Sequence, residues 1–167
     1  VRGNLTDHYD PRENVIRLSD SVYDSTSVAS IGVAAHEAGH ALQYADNYAP
    51  IKLRMAIIPI CNIGSTLGIP LALIGYVMGI EPLVSIGLLL YAAIALFHFV
   101  TLPVEFNASH RAIRTIYQSD ILTQQEMVGA KRTLRAAAMT YVAAVAVSLA
   151  QVIRLLLIFG GRSRSRD

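Results

Sequence analysis

Two long uncharged runs interrupt an otherwise polar sequence. Residues 55–79 and residues 83–102 contain no Asp, Glu, Lys or Arg. Each run is long enough to span a hydrocarbon core of roughly 30 Å as a helix. The residues between them, Gly-Ile-Glu-Pro at 79–82, have the composition of a turn. The pattern therefore predicts a transmembrane helical hairpin over 55–103. A pair of buried core helices is the alternative, which uncharged runs of this length disfavour.

A third apolar run covers residues 136–159 and contains Gln151 and Arg154. Arg154 lies near the end of the run, where a long basic side chain can reach the membrane interface. This run is predicted to be a third membrane helix, and an amphipathic helix lying in the membrane plane is the alternative. Residues 160–167, which are rich in Gly, Ser and Arg, are predicted to form a disordered basic tail.

The polar segment 1–54 contains one predicted strand and one predicted helix. Val15-Ile16-Arg17-Leu18 is a short β-rich run bounded by loop residues, which is typical of a strand. Apolar positions then repeat at helical spacing from Val28 to Tyr44, and Ser25-Thr26-Ser27 offers an N-cap. The polar side of the predicted fold therefore begins with a short β segment followed by a helix.

The second polar segment, residues 104–135, is predicted to be helical as well. A helix should run from Val104 to Tyr117, either continuous with the second span or starting at Pro103. Thr123-Gln124-Gln125-Glu126 has the spacing of a capping box and predicts the start of a further surface helix. The expected fold class is therefore mainly α and integral to a membrane.

Composition and charge agree with a membrane protein. Hydrophobic residues make up 53% and charged residues 16% of the chain, whereas soluble domains carry about a quarter charged residues. The net charge of +2 gives no reason to expect a nucleic-acid partner. Cys61 is the single cysteine, which excludes a disulfide framework and a four-cysteine zinc site. The chain begins with Val1, which we interpret as an N-terminally truncated sequence.

The distribution of basic residues predicts the orientation in the membrane. Both ends of the hairpin lie on one side, and the segments that adjoin the predicted spans on that side carry seven basic residues: Lys52, Arg54, Arg111, Arg114, Lys131, Arg132 and Arg135. The opposite side carries three, in the tail, if the third run spans the membrane. The excess predicts that residues 1–54 and 105–135 are cytoplasmic.

The predicted helix in the first polar segment contains His36-Glu37-Ala38-Gly39-His40, an HExxH motif. His36 and His40 are four residues apart and share one helix face, so both imidazoles can bind one Zn²⁺ at about 2.0–2.1 Å. Glu37 lies beside the first ligand, where it can take a proton from a water made acidic by the metal. Gly39 weakens a helix relative to alanine, which close backbone packing beside the metal would explain.

A catalytic zinc site needs a third protein ligand. The candidates are His8, His98, His110, Asp46, Glu81, Glu105 and Glu126. Glu105 is the most plausible in position, because the hairpin returns the chain to the motif's side of the membrane just before it. An acidic residue next to a membrane-embedded run needs a partner, and zinc is one. An interfacial glutamate in water is the alternative.

The site is expected at or above the membrane surface. The motif helix is short and is flanked by Asp20, Asp24 and Asp46. An intramembrane protease would instead place HExxH inside a hydrophobic span. A metal transporter is disfavoured too, because it needs ionisable residues inside the spans and the hairpin offers only His98.

Four segments together resemble one protein family. They are residues 36–43 (HEAGHALQ), 102–109 (LPVEFNAS), 5–11 (LTDHYDP) and 138–143 (AMTYVA). The pattern is similar to the neutral zinc metallopeptidases of the YugP-like membrane family, over nearly the whole chain. Members of that family carry an additional N-terminal segment with a membrane helix. This agrees with the interpretation that the present sequence is N-terminally truncated. The family is similar to the membrane gluzincins, which place a hairpin between HExxH and a glutamate ligand.

The resemblance implies zinc held by His36, His40 and Glu105, with Glu37 as the general base. It also implies that a strand beside the motif helix holds the substrate backbone by β-augmentation, and Val15, Ile16, Arg17 and Leu18 form the candidate strand. Related glutamate motifs read Glu-x-x-x-Asp, where the Asp orients a ligand histidine. Ser109 stands at that position, so Ser109 or Asn107 is expected to orient the histidine more weakly.

Two further residues are candidate donors to the oxyanion. His98 lies seven residues before Glu105, so both can share a helix face. Tyr141 reaches the site if the third run folds over it. For His98 a packed, hydrogen-bonded role is the alternative, and for Tyr141 an interfacial or packing role.

The sequence therefore predicts a membrane-bound zinc metalloendopeptidase of a bacterial-type cell membrane, with its active site on the cytoplasmic side. Its partners would be membrane lipid and a peptide or membrane-protein substrate. The alternative is a catalytically silent zinc-binding membrane scaffold. Glu37 discriminates between them, because a purely structural zinc site has no need of a glutamate that binds no metal.

Overall fold

The structure, a computed structural model, describes residues 1–160. It confirms a mainly helical chain with one small sheet. The elements are β1 (His8–Asp10), β2 (Val15–Arg17), α1 (Asp20–Tyr23), α2 (Val28–Ala45), α3 (Ala49–Met78), α4 (Glu81–Ser119) and α5 (Gln124–Gly160). Gly160 ends α5, and the rest of the predicted tail, 161–167, lies outside the described residues.

The sheet is an antiparallel pair in which Tyr9 of β1 lies opposite Ile16 of β2. Asn14 closes the connecting turn with a φ of 55°, a left-handed conformation that asparagine tolerates better than most residues. The predicted strand at Val15–Leu18 therefore forms as β2. Its partner β1 was not predicted. The strand has only three residues, and because His8 and Asp10 are polar they do not form a β-rich run.

Helix α2 begins as the sequence predicts. Ser27 is the N-cap, and its hydroxyl accepts a hydrogen bond from the Ser30 backbone N–H at 3.1 Å. The capping box at the start of α5 is confirmed as well. The Thr123 N–H donates to Glu126 Oε2 at 2.8 Å, and the Glu126 N–H donates to Thr123 Oγ1 at 3.3 Å. The Thr123 hydroxyl also donates to Glu126 Oε2, at 2.7 Å. This bond and the one from the Thr123 N–H lower the pKa of the exposed Glu126 carboxyl.

The helices that follow are longer than the predicted segments. The predicted boundaries at 54/55, 103/104 and 135/136 fall inside α3, α4 and α5 respectively. Pro103 does not start a new helix, because proline removes only one helical hydrogen bond and α4 continues through it. Membrane-type runs and polar helices are therefore continuous in this chain.

Within residues 1–160, three helices are long and apolar enough to cross a membrane, judged by length and composition: Ala49–Met78, Glu81–Ser119 and Gln124–Phe159. Many of their large apolar side chains are exposed, among them Leu89, Phe99 and Leu157. So many exposed large apolar side chains on long helices are unusual for a soluble monomer.

The chain divides into two compact units. Unit 1 comprises residues 1–51 and 102–140, and unit 2 comprises residues 52–101 together with the described residues from 141 to 160. In unit 1, Ile116, Met127 and Ala130 form a buried cluster, against which four partly buried side chains pack: Val28, Ile31, Ala35 and Leu122. This cluster joins α2 to α4 and α5.

Unit 2 contains the hairpin, in which glycines allow the two helix backbones to meet. A Cβ at Gly64 would lie 2.2 Å from the Leu90 carbonyl oxygen, and one at Gly87 would lie 2.5 Å from the Ala72 nitrogen. Small residues at such positions are typical of helices packed within membranes.

Candidate metal centre

Three side chains of unit 1 converge on one point. His36 and His40 project from α2, and Glu105 projects from α4. One donor atom from each lies within 4.8 Å of the others. Glu105 Oε2 is 3.1 Å from His36 Nε2 and 3.5 Å from His40 Nε2. The three residues are thus positioned to bind a metal ion.

The donor set and its spacing fit zinc. Two ligands held about 2.0–2.2 Å from a tetrahedral ion are roughly 3.3–3.6 Å apart, close to the observed separations. Two imidazoles and one carboxylate are ligands that suit zinc. Glu105 is only 2% exposed, and a buried carboxylate needs compensating positive charge. A divalent cation bound between the three donors would supply it.

Gly39 allows α2 and α4 to approach closely at this point. A Cβ there would lie 2.5 Å from the Ala108 carbonyl oxygen and 3.1 Å from its carbonyl carbon. This contact supplies the close backbone packing that the sequence predicted for Gly39. It brings the helix that carries the two histidines against the helix that carries Glu105.

Glu37 lies beside the ligands and is buried. Burial raises the pKa of its carboxyl, although the nearby His40 and His36 rings and a hydrogen bond from the Tyr9 backbone N–H act in the opposite direction. Strand β1 therefore contacts the motif helix at Glu37. A buried carboxyl group therefore lies beside two of the residues positioned to bind a metal ion.

The Nδ1 atom of each histidine in the motif has a hydrogen-bond partner. His36 Nδ1 lies 3.1 Å from Ser109 Oγ, and His40 Nδ1 lies 3.0 Å from Gln43 Oε1. Burial lowers the pKa of His40, but its contacts with Glu105, Gln43 and Glu37 together outweigh this and the net shift is upward. Ser109 thus contacts one histidine of the motif, whereas Asn107 accepts a hydrogen bond from Gln43. That Ser109 orients a metal ligand stays a prediction.

Gln43 was missed by sequence reasoning. The available signal was its spacing, because residue 43 lies three positions after His40 and such pairs share a helix face. His98 and Tyr141, the candidate oxyanion donors, belong to unit 2, so their action at the site stays a prediction. Strand β2 also stays a prediction as the substrate strand. It lines a cavity of about 550 Å³ together with Tyr23 and Ala34.

Comparison with known proteins agrees with this geometry. Residues 1–160 match the family described as "Putative neutral zinc metallopeptidase". The chain therefore belongs to this zinc metallopeptidase family. It is 45% identical over 159 residues to the Bacillus subtilis (strain 168) protein named "Putative membrane protease YugP", covering 95% of this chain and 71% of the relative. No solved structure matches the chain.

Proposed function

We propose that the chain is a membrane-bound zinc metalloendopeptidase whose metal is held by His36, His40 and Glu105. The observation that carries the proposal is the convergence of these three donors beside the buried Glu37. Family membership supports it, because the family is one of zinc metallopeptidases.

In this proposal Glu37 is the general base and then the general acid. A bound zinc ion would polarise the scissile carbonyl and acidify a water molecule. Glu37 accepts the proton of the attacking water as the new carbon–oxygen bond forms. It then donates that proton to the amide nitrogen as the carbon–nitrogen bond breaks, releasing a carboxylic acid and an amine. The second proton of the water then passes from the acid to the amine, which leaves a carboxylate and an ammonium group.

We further propose a cytoplasmic active site at the surface of a bacterial cell membrane. The excess of basic residues flanking the hairpin supports this orientation, and the relative's name supports the membrane location. Substrates would then be peptide segments at the membrane surface. Strand Val15–Leu18 is proposed to hold their backbone, and the cavity beside it would take a side chain.

A zinc-binding scaffold without activity is the competing function. It requires the three ligands but not Glu37. The burial of the Glu37 carboxyl argues against it, since burying an acid without a role costs free energy.

The direct test is hydrolysis of an unstructured protein, casein, by the purified chain in detergent. We expect cleavage to stop after the metal is removed with a chelator and to return with Zn²⁺ but not with Mg²⁺. Circular dichroism should show that the metal-free chain keeps its helices. Unfolding on metal removal, with no cleavage at any zinc concentration, would instead support the scaffold.

A further inference from the structure

Gln43 is a fully buried side chain for which the proposed mechanism has no role. It is 0% exposed. Its Nε2 donates to the Val104 carbonyl oxygen at 2.7 Å and to Asn107 Oδ1 at 3.0 Å. Its Oε1 lies 3.0 Å from His40 Nδ1. An amide with this set of partners is held in a single position, since a buried polar group that loses a partner is destabilising.

The hydrogen-bond partners of Gln43 also determine the orientation of its side-chain amide, that is, the positions of its oxygen and its nitrogen. Arg111 Nε lies 2.8 Å from the side-chain amide of Asn107. Because a guanidinium only donates, the Asn107 atom that faces it must be the oxygen. One end of the Gln43 amide faces both this oxygen and the Val104 carbonyl. Two acceptors require a donor, so that end is the –NH₂ group and the oxygen faces His40.

This polarity determines the tautomer of His40. An amide oxygen only accepts, so His40 Nδ1 must carry the hydrogen. A neutral imidazole has one N–H, and the lone pair is therefore on Nε2, the atom that lies 3.5 Å from Glu105 Oε2. His36 lacks such a constraint from Ser109, because a hydroxyl can either donate or accept.

We propose that Gln43 is a positioning residue that holds His40 in the tautomer presenting Nε2 to the metal. The inference rests on the zinc site proposed above. Gln43 also ties α2 to the turn of α4 that carries Glu105, through the neighbouring Val104 carbonyl. Partners of this kind typically contribute about 10–100-fold to metal affinity.

The test compares zinc affinity, by competition with a chelator, in the wild type and two variants. Gln43→Met keeps similar bulk but removes the acceptor, and we expect it to weaken zinc binding by about 10–100-fold. Gln43→Glu restores an acceptor facing His40 Nδ1 but cannot donate to Val104, and we expect it to recover most of the lost affinity. Gln125→Met, at an exposed position of α5, is the matched control and should bind zinc as the wild type does.

The order of zinc affinity of the two variants shows whether Gln43 positions His40 or only packs the helices together. If Gln43 only packs α2 against α4, the Gln43→Met variant should bind zinc as tightly as the wild type. The Gln43→Glu variant should then bind zinc more weakly, because its carboxylate faces the Val104 carbonyl. That order would overturn the inference and leave the zinc site intact. A wild type that binds no zinc would overturn both.

A second measurement tests the His40 tautomer itself, without a Gln43 variant. In the zinc-loaded wild type with ¹⁵N-labelled histidine, NMR should show His40 with a hydrogen on Nδ1 and the metal on Nε2. Metal coordination through His40 Nδ1 would contradict the inference, even if the Gln43→Glu chain does not fold.

Discussion

Replacing Glu37 by Gln is expected to slow peptide hydrolysis by about 10²–10⁴-fold, the usual contribution of a general base. The amide has nearly the same shape as the carboxyl and cannot accept the proton. Zinc content should be unchanged, because Glu37 is not among the three converging donors. The measurement is the cleavage rate of a fluorogenic peptide by variant protein whose zinc content has been matched to the wild type.

Glu126→Gln is the control for this substitution, because Glu126 is an exposed capping residue at the start of α5. It should retain wild-type cleavage. Undiminished hydrolysis by zinc-loaded Glu37→Gln protein would remove Glu37 from the mechanism and leave the base unidentified.

The second large effect is expected from Gly39→Ala. The new Cβ would lie 2.5 Å from the Ala108 carbonyl oxygen, so α2 and α4 must separate by close to 1 Å to reach ordinary contact. Metal sites tolerate only about 0.2 Å in their ligand distances. We expect a cost of about 1–3 kcal/mol in the free energy of unfolding and a loss of about 10²-fold in activity, measured with zinc binding on the same sample.

Gly32→Ala is the matched control, two turns earlier on α2. A Cβ there would lie 3.8 Å from Leu134 Cγ, an ordinary contact. Alanine should therefore stabilise the helix by about 0.5–1 kcal/mol and leave zinc binding unchanged. If Gly39→Ala behaved in the same way, the close approach of α2 and α4 would not be what sets the metal site.

The sequence predicts those features of the fold that depend on local patterns. Uncharged runs identify the apolar helices, and Ser27 and the Thr123–Glu126 box identify two helix starts, because each signal lies within a few residues. The strand β1 could not be predicted in this way. It is defined by its pairing with Val15–Arg17 and carries no β-rich pattern of its own.

In the site too, features set by local sequence patterns could be predicted from those patterns alone, and features set by long-range packing could not. The histidine pair follows from helical spacing alone, whereas Glu105 lies 65 or more residues away and required an argument from the hairpin and the family resemblance. Gln43 needed the structure, because its role depends on the Val104 carbonyl and on Asn107, both of which lie on another helix. A sequence shows which side chains can hydrogen-bond, but the partner is set by packing.

Zinc content is the measurement that tests the central claim most directly. It should be determined in detergent for the wild type, Glu105→Ala and Glu37→Gln, all shown to be folded. We expect one zinc ion per chain in the wild type and in Glu37→Gln, and a strongly reduced content in Glu105→Ala, which removes the third ligand. Zinc that survives Glu105→Ala undiminished, or a folded wild type without zinc, would contradict the proposed site.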